Sequence, residues 1–86
     1  MLKIIYSEKF ISQFESLEPK IQRLSEKKIK MFITDPRHSS LKTHKLNGIL
    51  DGYFSFSVDY QLRIVFEYGT KNTVHFLKIG SHDVYR

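Results

Sequence analysis

Cysteine is absent from these 86 residues, so neither a disulfide framework nor a thiolate metal site is available. Long apolar runs are missing too. None approaches the roughly 20 residues that span a bilayer, and the opening Met1-Leu2-Lys3-Ile4-Ile5-Tyr6 lacks the apolar stretch of a secretory leader. No two histidines stand at metal-ligand spacing and the carboxylates are scattered, which argues against metal-assisted chemistry. Internal repeats, low-complexity tracts and any break marking a second domain are likewise lacking. The expectation is one cytoplasmic domain over residues 1–86, with no metal, membrane contact or small-molecule cofactor. Its apolar content of 41% supports a single core with a small stability margin.

Acidic residues are scarce in one third of the chain. Residues 20–45 hold eight cations (Lys20, Arg23, Lys27, Lys28, Lys30, Arg37, Lys42 and Lys45) against only Glu26 and Asp35. The rest of the chain is close to neutral, so the whole net charge of +5 comes from this window. Such polarity is the footprint of a polyanion binder, because Lys and Arg on phosphates release counterions. It is equally what a solvated helix face looks like.

Local patterns give the order of elements. Leu2–Tyr6 reads as a short strand, and Ser7 as the N-cap of a helix with Glu8 in its first turn. Phe10, Phe14 and Leu17 recur at helical spacing to about Ser16. Pro19 restarts the chain as a first-turn proline. Ile21, Leu24, Ile29 and Phe32 form the apolar stripe of a longer helix that Asp35-Pro36 ends. Arg37–Gly48 reads as a twelve-residue polar loop, and Ile49–Gly52 as a turn. Tyr53–Val58 alternates as a strand, with Phe54, Phe56 and Val58 on one face. Asp59-Tyr60 reverses the chain into Gln61–Tyr68, where Leu62, Ile64 and Phe66 oppose Arg63, Val65 and Glu67. Gly69–Asn72 is a hairpin loop. The final run, Val74 to Ile79, is nearly all apolar, which predicts a central strand buried on both faces. The fold class is α+β in the order β-αα-βββ: an antiparallel sheet packed against an N-terminal helix hairpin.

Beyond Gly80 the chain turns abruptly polar, so a rigid strand delivers Ser81, His82, Asp83, Tyr85 and Arg86. His82 has an unperturbed pKa near about 6.5, suited to proton transfer at neutral pH. His44 lies in the basic loop between Lys42 and Lys45. Arg63 sits in an otherwise apolar strand, where a guanidinium needs an anion or water. Glu67 or Asp59 would serve that need structurally, and a phosphate would serve it functionally. His75 reads as a core or subunit-contact residue, and His38 as solvent-facing.

Several short words run through the chain in order: Lys42-Thr-His44-Lys-Leu46-Asn-Gly48, Gly52-Tyr53-Phe-Ser-Phe56, Leu62-Arg63-Ile-Val-Phe66 and Ile79-Gly80-Ser81-His82-Asp83-Val84-Tyr85. Together they resemble the RelE/ParE superfamily of bacterial type II toxin–antitoxin toxins, closest to its YafQ- and YoeB-like branches. The resemblance implies a ribosome-dependent endoribonuclease that cuts mRNA and is held inactive by a cognate antitoxin. Carried over by position, His82 matches the C-terminal catalytic histidine, Arg63 the arginine facing the scissile phosphate, and His44 the histidine of the YafQ-like His-x-Leu-x-Gly word. Tyr85 takes the place of a C-terminal aromatic that stacks on a base in relatives. The sequence departs from YafQ at Ser57, where that branch has a second histidine, and near Gln61, where it has an acid. The YoeB-like glutamate has no counterpart unless His44 replaces it, so the identity of the general base stays open.

The chemistry so implied needs neither metal nor cofactor. The RNA 2′-OH attacks the adjacent phosphate and expels the 5′-oxygen, leaving a 2′,3′-cyclic phosphate and a 5′-hydroxyl. His82 would be the general acid and His44 the candidate base, with Arg63 and Lys42 or Lys45 stabilising charge. The helix lysines Lys27, Lys28 and Lys30 would dock on ribosomal RNA through its backbone, and Arg86 is a further RNA-binding candidate. Two alternatives remain: a ParE-like inhibitor of DNA gyrase, and a toxin-fold binding module that has lost its chemistry.

Overall fold

The computed structural model describes residues 1–48 and 52–81. The predicted turn at 49–52 therefore falls largely outside the described residues, and His82, Tyr85 and Arg86 lie outside them entirely. In chain order the elements are β1 (Lys3–Tyr6), α1 (Glu8–Glu15), α2 (Pro19–Thr34), a 3-10 turn (Ser39–Leu41), β2 (His44–Lys45), β3 (Phe54–Ser57), β4 (Arg63–Tyr68) and β5 (Thr73–Gly80). The sheet order is β1-β5-β4-β3-β2. β1 joins β5 in parallel and the other pairs are antiparallel. The β-αα-βββ order is thus present, with one short strand added ahead of the meander.

Helix boundaries follow local chemistry. Ser7 caps α1, its hydroxyl accepting from Phe10 N at 2.9 Å. Pro19 opens α2, and Asp35 ends it just before Pro36. The helix hairpin lies on one sheet face, and Phe32 is the knob at its centre. Its ring stacks on Phe56 at 4.7 Å and meets Phe66 edge-on at 4.9 Å and Phe76 at 5.6 Å. Aromatic pairs of this kind add about 0.5–1.5 kcal/mol beyond their buried area. Phe10, Ile29, Val58, Ile64, Val74 and Ile79 complete the core. A smaller apolar cluster, Leu46 with Val65 and Tyr53, lies apart from that core.

Two expectations need correction. The loop from Arg37 to Gly48 is not structureless: it winds through the 3-10 turn and then adds β2 as an edge strand, His44 pairing with Ser55 and Lys45 with Phe54. The last strand is interior, with β1 and β4 beside it, but it is not buried on both faces. Val74, Phe76 and Ile79 are buried while Thr73, His75, Leu77 and Lys78 are half-buried. The spacing from 76 to 79 is odd because β5 bulges. Val65 pairs with Lys78 but Phe66 with Phe76, which leaves Leu77 as the extra residue.

That bulge is stitched down by α1. β1 ends opposite Phe76, so beyond it the edge of β5 needs other partners. Ser7 N donates to the Phe76 carbonyl (3.0 Å) and Ser7 Oγ to the Leu77 carbonyl (2.8 Å). Ile79 N then donates to Gln13 Oε1 at 2.9 Å. Two side chains of one helical segment therefore hold the strand end that leads to Gly80 and Ser81.

Candidate active site

The ladder fixes which side chains share a face, because directly paired residues point the same way. Ser57 pairs with Arg63 and Arg63 with Gly80. One row along, His44 pairs with Ser55, Ser55 with Val65 and Val65 with Lys78. All of these lie on the face turned away from the helices, since the alternating Phe56, Ile64 and Ile79 belong to the helix-side core. Arg63 is thus where strand alternation put it, opposite Leu62 and Ile64.

The Arg63 guanidinium does not meet Glu67 or the Asp59 carboxylate. Its Nη1 donates to the Asp59 carbonyl at 2.9 Å and to the Leu62 carbonyl at 3.4 Å. The Asp59 carboxylate is engaged elsewhere, Oδ1 accepting from Gln61 N (2.9 Å) and Leu62 N (2.7 Å). Arg63 is half-buried, and among the described residues only its Nη1 is hydrogen-bonded, which leaves Nε and Nη2 as donors for an anion. It borders two clefts. One, of about 400 Å³, is formed with Lys28, Ser40, Lys42, Ser57 and the Asp59-Tyr60 turn. The other, of about 460 Å³, is formed with Tyr60, Gln61 and Ser81. Ser81 immediately precedes His82 in the sequence, and His82 itself is outside the described residues.

Lys42 reaches the cleft through an unusual backbone. It follows the 3-10 turn in the left-handed region (φ 50°), its N–H donating to the Ser39 carbonyl. A non-glycine residue there costs of order 1 kcal/mol or more and tends to mark a functional turn. Here it swings the chain into β2 and sets Lys42 at the wall between the Arg63 cleft and a third one. That third cleft, about 710 Å³, is lined by Arg37, His38, Lys42, Thr43, His44 and Lys45 with Phe54 and Tyr68.

His44 opens into this third cleft and not into either Arg63 cleft. Its Nδ1 donates to the Lys42 carbonyl at 3.2 Å, which can only accept, so in the neutral ring Nε2 is the acceptor nitrogen. Nε2 lies 3.4 Å from the Ser55 hydroxyl. From strand spacing, two strands and one row separate the Cα atoms of His44 and Arg63, roughly 12 Å. The two candidates share a face but do not meet. The His44-x-Leu46-x-Gly48 word also has a structural basis: Leu46 is buried against Val65, and Gly48 takes φ 72°, a left-handed turn.

The three lysines grouped by sequence divide. Lys28 is half-buried and lines the Arg63 cleft, whereas Lys27 and Lys30 are exposed. At 100° per residue Lys27 and Lys30 fall on one stripe with Lys20 and Arg23, and Lys28 falls well off it. Lys45 borders the His44 cleft. His38 is exposed, its Nδ1 accepting from Ser40 N at 3.1 Å to cap the 3-10 turn. His75 is half-buried, packed so closely on Gly69 that a Cβ there would lie 2.9 Å from its Nε2. Sequence reasoning missed two contributors. Gln13, which holds Ile79, carries no local signal, since its partner is 66 residues away. Tyr60, 91% exposed, belongs to both Arg63 clefts. Among the described residues, no group of three or more His, Asp or Glu side chains is placed to hold a metal, and no helix is long and apolar enough to cross a membrane.

No protein-family model matches the sequence, and no curated protein does either. Solved structures do. YafQ from E. coli superposes with a TM-score of 0.80 over 99% of this chain and 98% of its own, at 17% identity. In the E. coli DinJ-YafQ toxin-antitoxin complex the TM-score is 0.71 at 19% identity, over 95% of this chain and 93% of that one. A YoeB/ParE toxin from Agrobacterium tumefaciens gives 0.79 at 16% identity, over 94% and 99% of the two chains. A metal-bound toxin from Helicobacter pylori gives 0.75 at 26% identity, over 96% and 97%. Likeness at this level establishes a shared fold.

Proposed function

We propose that this chain, whose fold is that of the RelE/ParE toxins, is the toxin of a type II toxin–antitoxin pair and a ribosome-dependent endoribonuclease. The observation that carries the reading is the cleft where Lys28 from α2, Lys42 from the turn before β2 and Arg63 from β4 converge. These three cations outnumber the one carboxylate lining the cleft, that of Asp59, whose Oδ1 is taken by two backbone N–H groups, so an anion such as an RNA phosphate suits the remaining positive charge. Arg63 offers a planar fork of donors to phosphate oxygens, and the two lysines offer compact charges.

In this reading the 2′-OH of the RNA is the nucleophile. Arg63, Lys28 and Lys42 neutralise the charge that builds on the phosphorane oxygens as the 2′-oxygen bonds to phosphorus. His82, which follows Ser81 at the edge of the neighbouring cleft, protonates the departing 5′-oxygen. His44 is the candidate base through Nε2, whose lone pair would have to exchange the Ser55 hydroxyl for the 2′-OH. Reaching the same phosphate would require the RNA to run across Lys42 from one cleft into the other. Lys45, Tyr85 and Arg86 would contact the flanking RNA. A cognate antitoxin is the expected partner, supported by the complex in which YafQ is found with DinJ.

The test is cleavage of mRNA on programmed ribosomes, with analysis of the ends. Arg63→Ala and His82→Ala should each abolish cleavage and growth arrest while melting cooperatively as folded proteins, with a modest drop in midpoint for Arg63→Ala from its lost bonds to the β3–β4 turn. Stable variants that still arrest growth would overturn the assignment. A second reading is favoured by one observation: among the described residues, no imidazole lines either Arg63 cleft, and Ser57 stands where YafQ-like relatives carry histidine. A ParE-like gyrase inhibitor or a non-catalytic binding module needs no such group. Inhibition of gyrase supercoiling with no mRNA cleavage would select the former, and neither activity the latter.

A further inference from the structure

Tyr60 lies at the tip of the β3–β4 turn, and 91% of it faces solvent. An exposed tyrosine is by itself unremarked on protein surfaces, but this one combines three properties. It lines both clefts that border Arg63, so it stands beside the guanidinium on either approach. Its backbone is pinned on each side: Val58 N donates to the Leu62 carbonyl (2.9 Å), Asp59 Oδ1 accepts from Gln61 N and Leu62 N, and Arg63 Nη1 donates to the Asp59 carbonyl. Its ring is nevertheless uncommitted, with no aromatic contact among the described residues. The other described tyrosines all have apolar partners: Tyr6 packs on Phe10 and Phe76, Tyr53 joins Leu46 and Val65, and Tyr68 sits edge-on to Phe54 and Phe66.

We propose that Tyr60 is the platform on which a nucleobase stacks when the adjacent phosphate is held at Arg63, which makes it a substrate-positioning residue. The proposal rests on the RNA-binding reading above. Its physical basis is that every base has a π-face, so a ring on a rigid turn beside a phosphate-binding cation gains stacking without ordering a loop. The same Arg63 that would bind phosphate also holds the turn through the Asp59 carbonyl, so phosphate and base subsites are set at a fixed spacing. Stacking is independent of counterion release, and this separates it from the work of the lysines.

The experiment is binding of a short single-stranded 2′-O-methyl RNA, which has no free 2′-hydroxyl to react, at several salt concentrations. The same strand carrying an abasic site at each position in turn is the second probe. Tyr60→Ala should weaken binding about tenfold with an unchanged salt slope, whereas Tyr60→Phe should bind as the parent does. One abasic position should weaken the parent by the same factor and leave Tyr60→Ala unaffected. Parental affinity in Tyr60→Ala overturns the proposal, as does an equal loss in Tyr60→Phe, which would mean the hydroxyl and not the ring is used. If the parent shows no salt-dependent binding to the intact strand, the base platform is overturned, whereas the nuclease reading stands or falls separately on cleavage at programmed ribosomes. Melting curves accompany each variant, and the exposure of the ring predicts no change in midpoint.

Discussion

Tyr6 shows how one residue can report on the fold without touching the site. Its ring packs edge-on against Phe76 at 5.6 Å, and burial, with Glu26 nearby adding to it, raises its phenol above the ordinary value of 10.0. A raised acid holds its proton more tightly when folded than when unfolded. Its contribution to stability is therefore complete below pH 10 and is lost as pH rises through the folded value. Tyr6→Phe should flatten the alkaline limb of a stability–pH curve measured by urea unfolding, while leaving stability at pH 7 nearly unchanged. An alkaline limb identical to the parent's would assign that limb to other groups. At this scale the sequence was readable where a residue's role depends on its own strand or helix. Arg63 opposite Leu62 and Ile64 follows from alternation alone, and Ser7 as a cap follows from the residue types after it. The separation of Lys28 from Lys27 and Lys30 is implicit in the 3.6-residue period. That Lys28 faces a cleft depends on where the turn before β2 comes to rest, which no local pattern states.

At the scale of elements, the junction between α1 and β5 matters most to the candidate site, because it fixes the strand that runs toward His82. Gln13 Oε1 is the acceptor for Ile79 N. Gln13→Ala would leave that amide without its partner, at a cost of about 1–3 kcal/mol. The expected outcome is a lowered midpoint together with faster hydrogen exchange at Ile79, and Gln13→Glu, which keeps an acceptor, should restore much of both. Protection at Ile79 unchanged in Gln13→Ala would remove this role. The exposed stripe of α2 makes a separate prediction. Lys27→Gln with Lys30→Gln should lower the slope of log affinity against log salt by about one to two for single-stranded RNA, with cleavage of bound substrate preserved. Lys28→Gln should impair cleavage itself. An unchanged slope in the double variant would make the stripe a solvated face only. Short elements and irregularities were the parts that sequence could not disclose. β2 is two residues long and is defined only by Phe54 and Ser55 across from it. The bulge at Leu77 is a register mismatch between β4 and β5, and the nearly unbroken apolar run of β5 hides where its alternation shifts.

For the molecule as a whole, the cations of the Arg63 cleft and the exposed stripe of α2 gather like charge at two places contributed by one third of the chain and by β4. A partner with an acidic, amphipathic segment would relieve that repulsion while folding as it binds. Co-expression with the product of the adjacent gene should yield a complex that co-purifies, melts higher than the free chain and relieves growth arrest, since ligands of the native state stabilise it by mass action. A neighbour that does none of these is not the antitoxin. The interior position of β5 has a further meaning, for the moment of synthesis. Val74, Phe76 and Ile79 supply the middle of the core, and β1 pairs within the sheet only with this strand, some seventy residues downstream. Until residues 73–80 are clear of the ribosome, β1 has nothing to pair with and Phe32 only part of its surroundings. Folding thus waits on contacts of the longest sequence separation, which form late and slowly. A protein proposed to attack translating ribosomes would in this way have no assembled site until β5 docks, and that delay would give an antitoxin time to arrive.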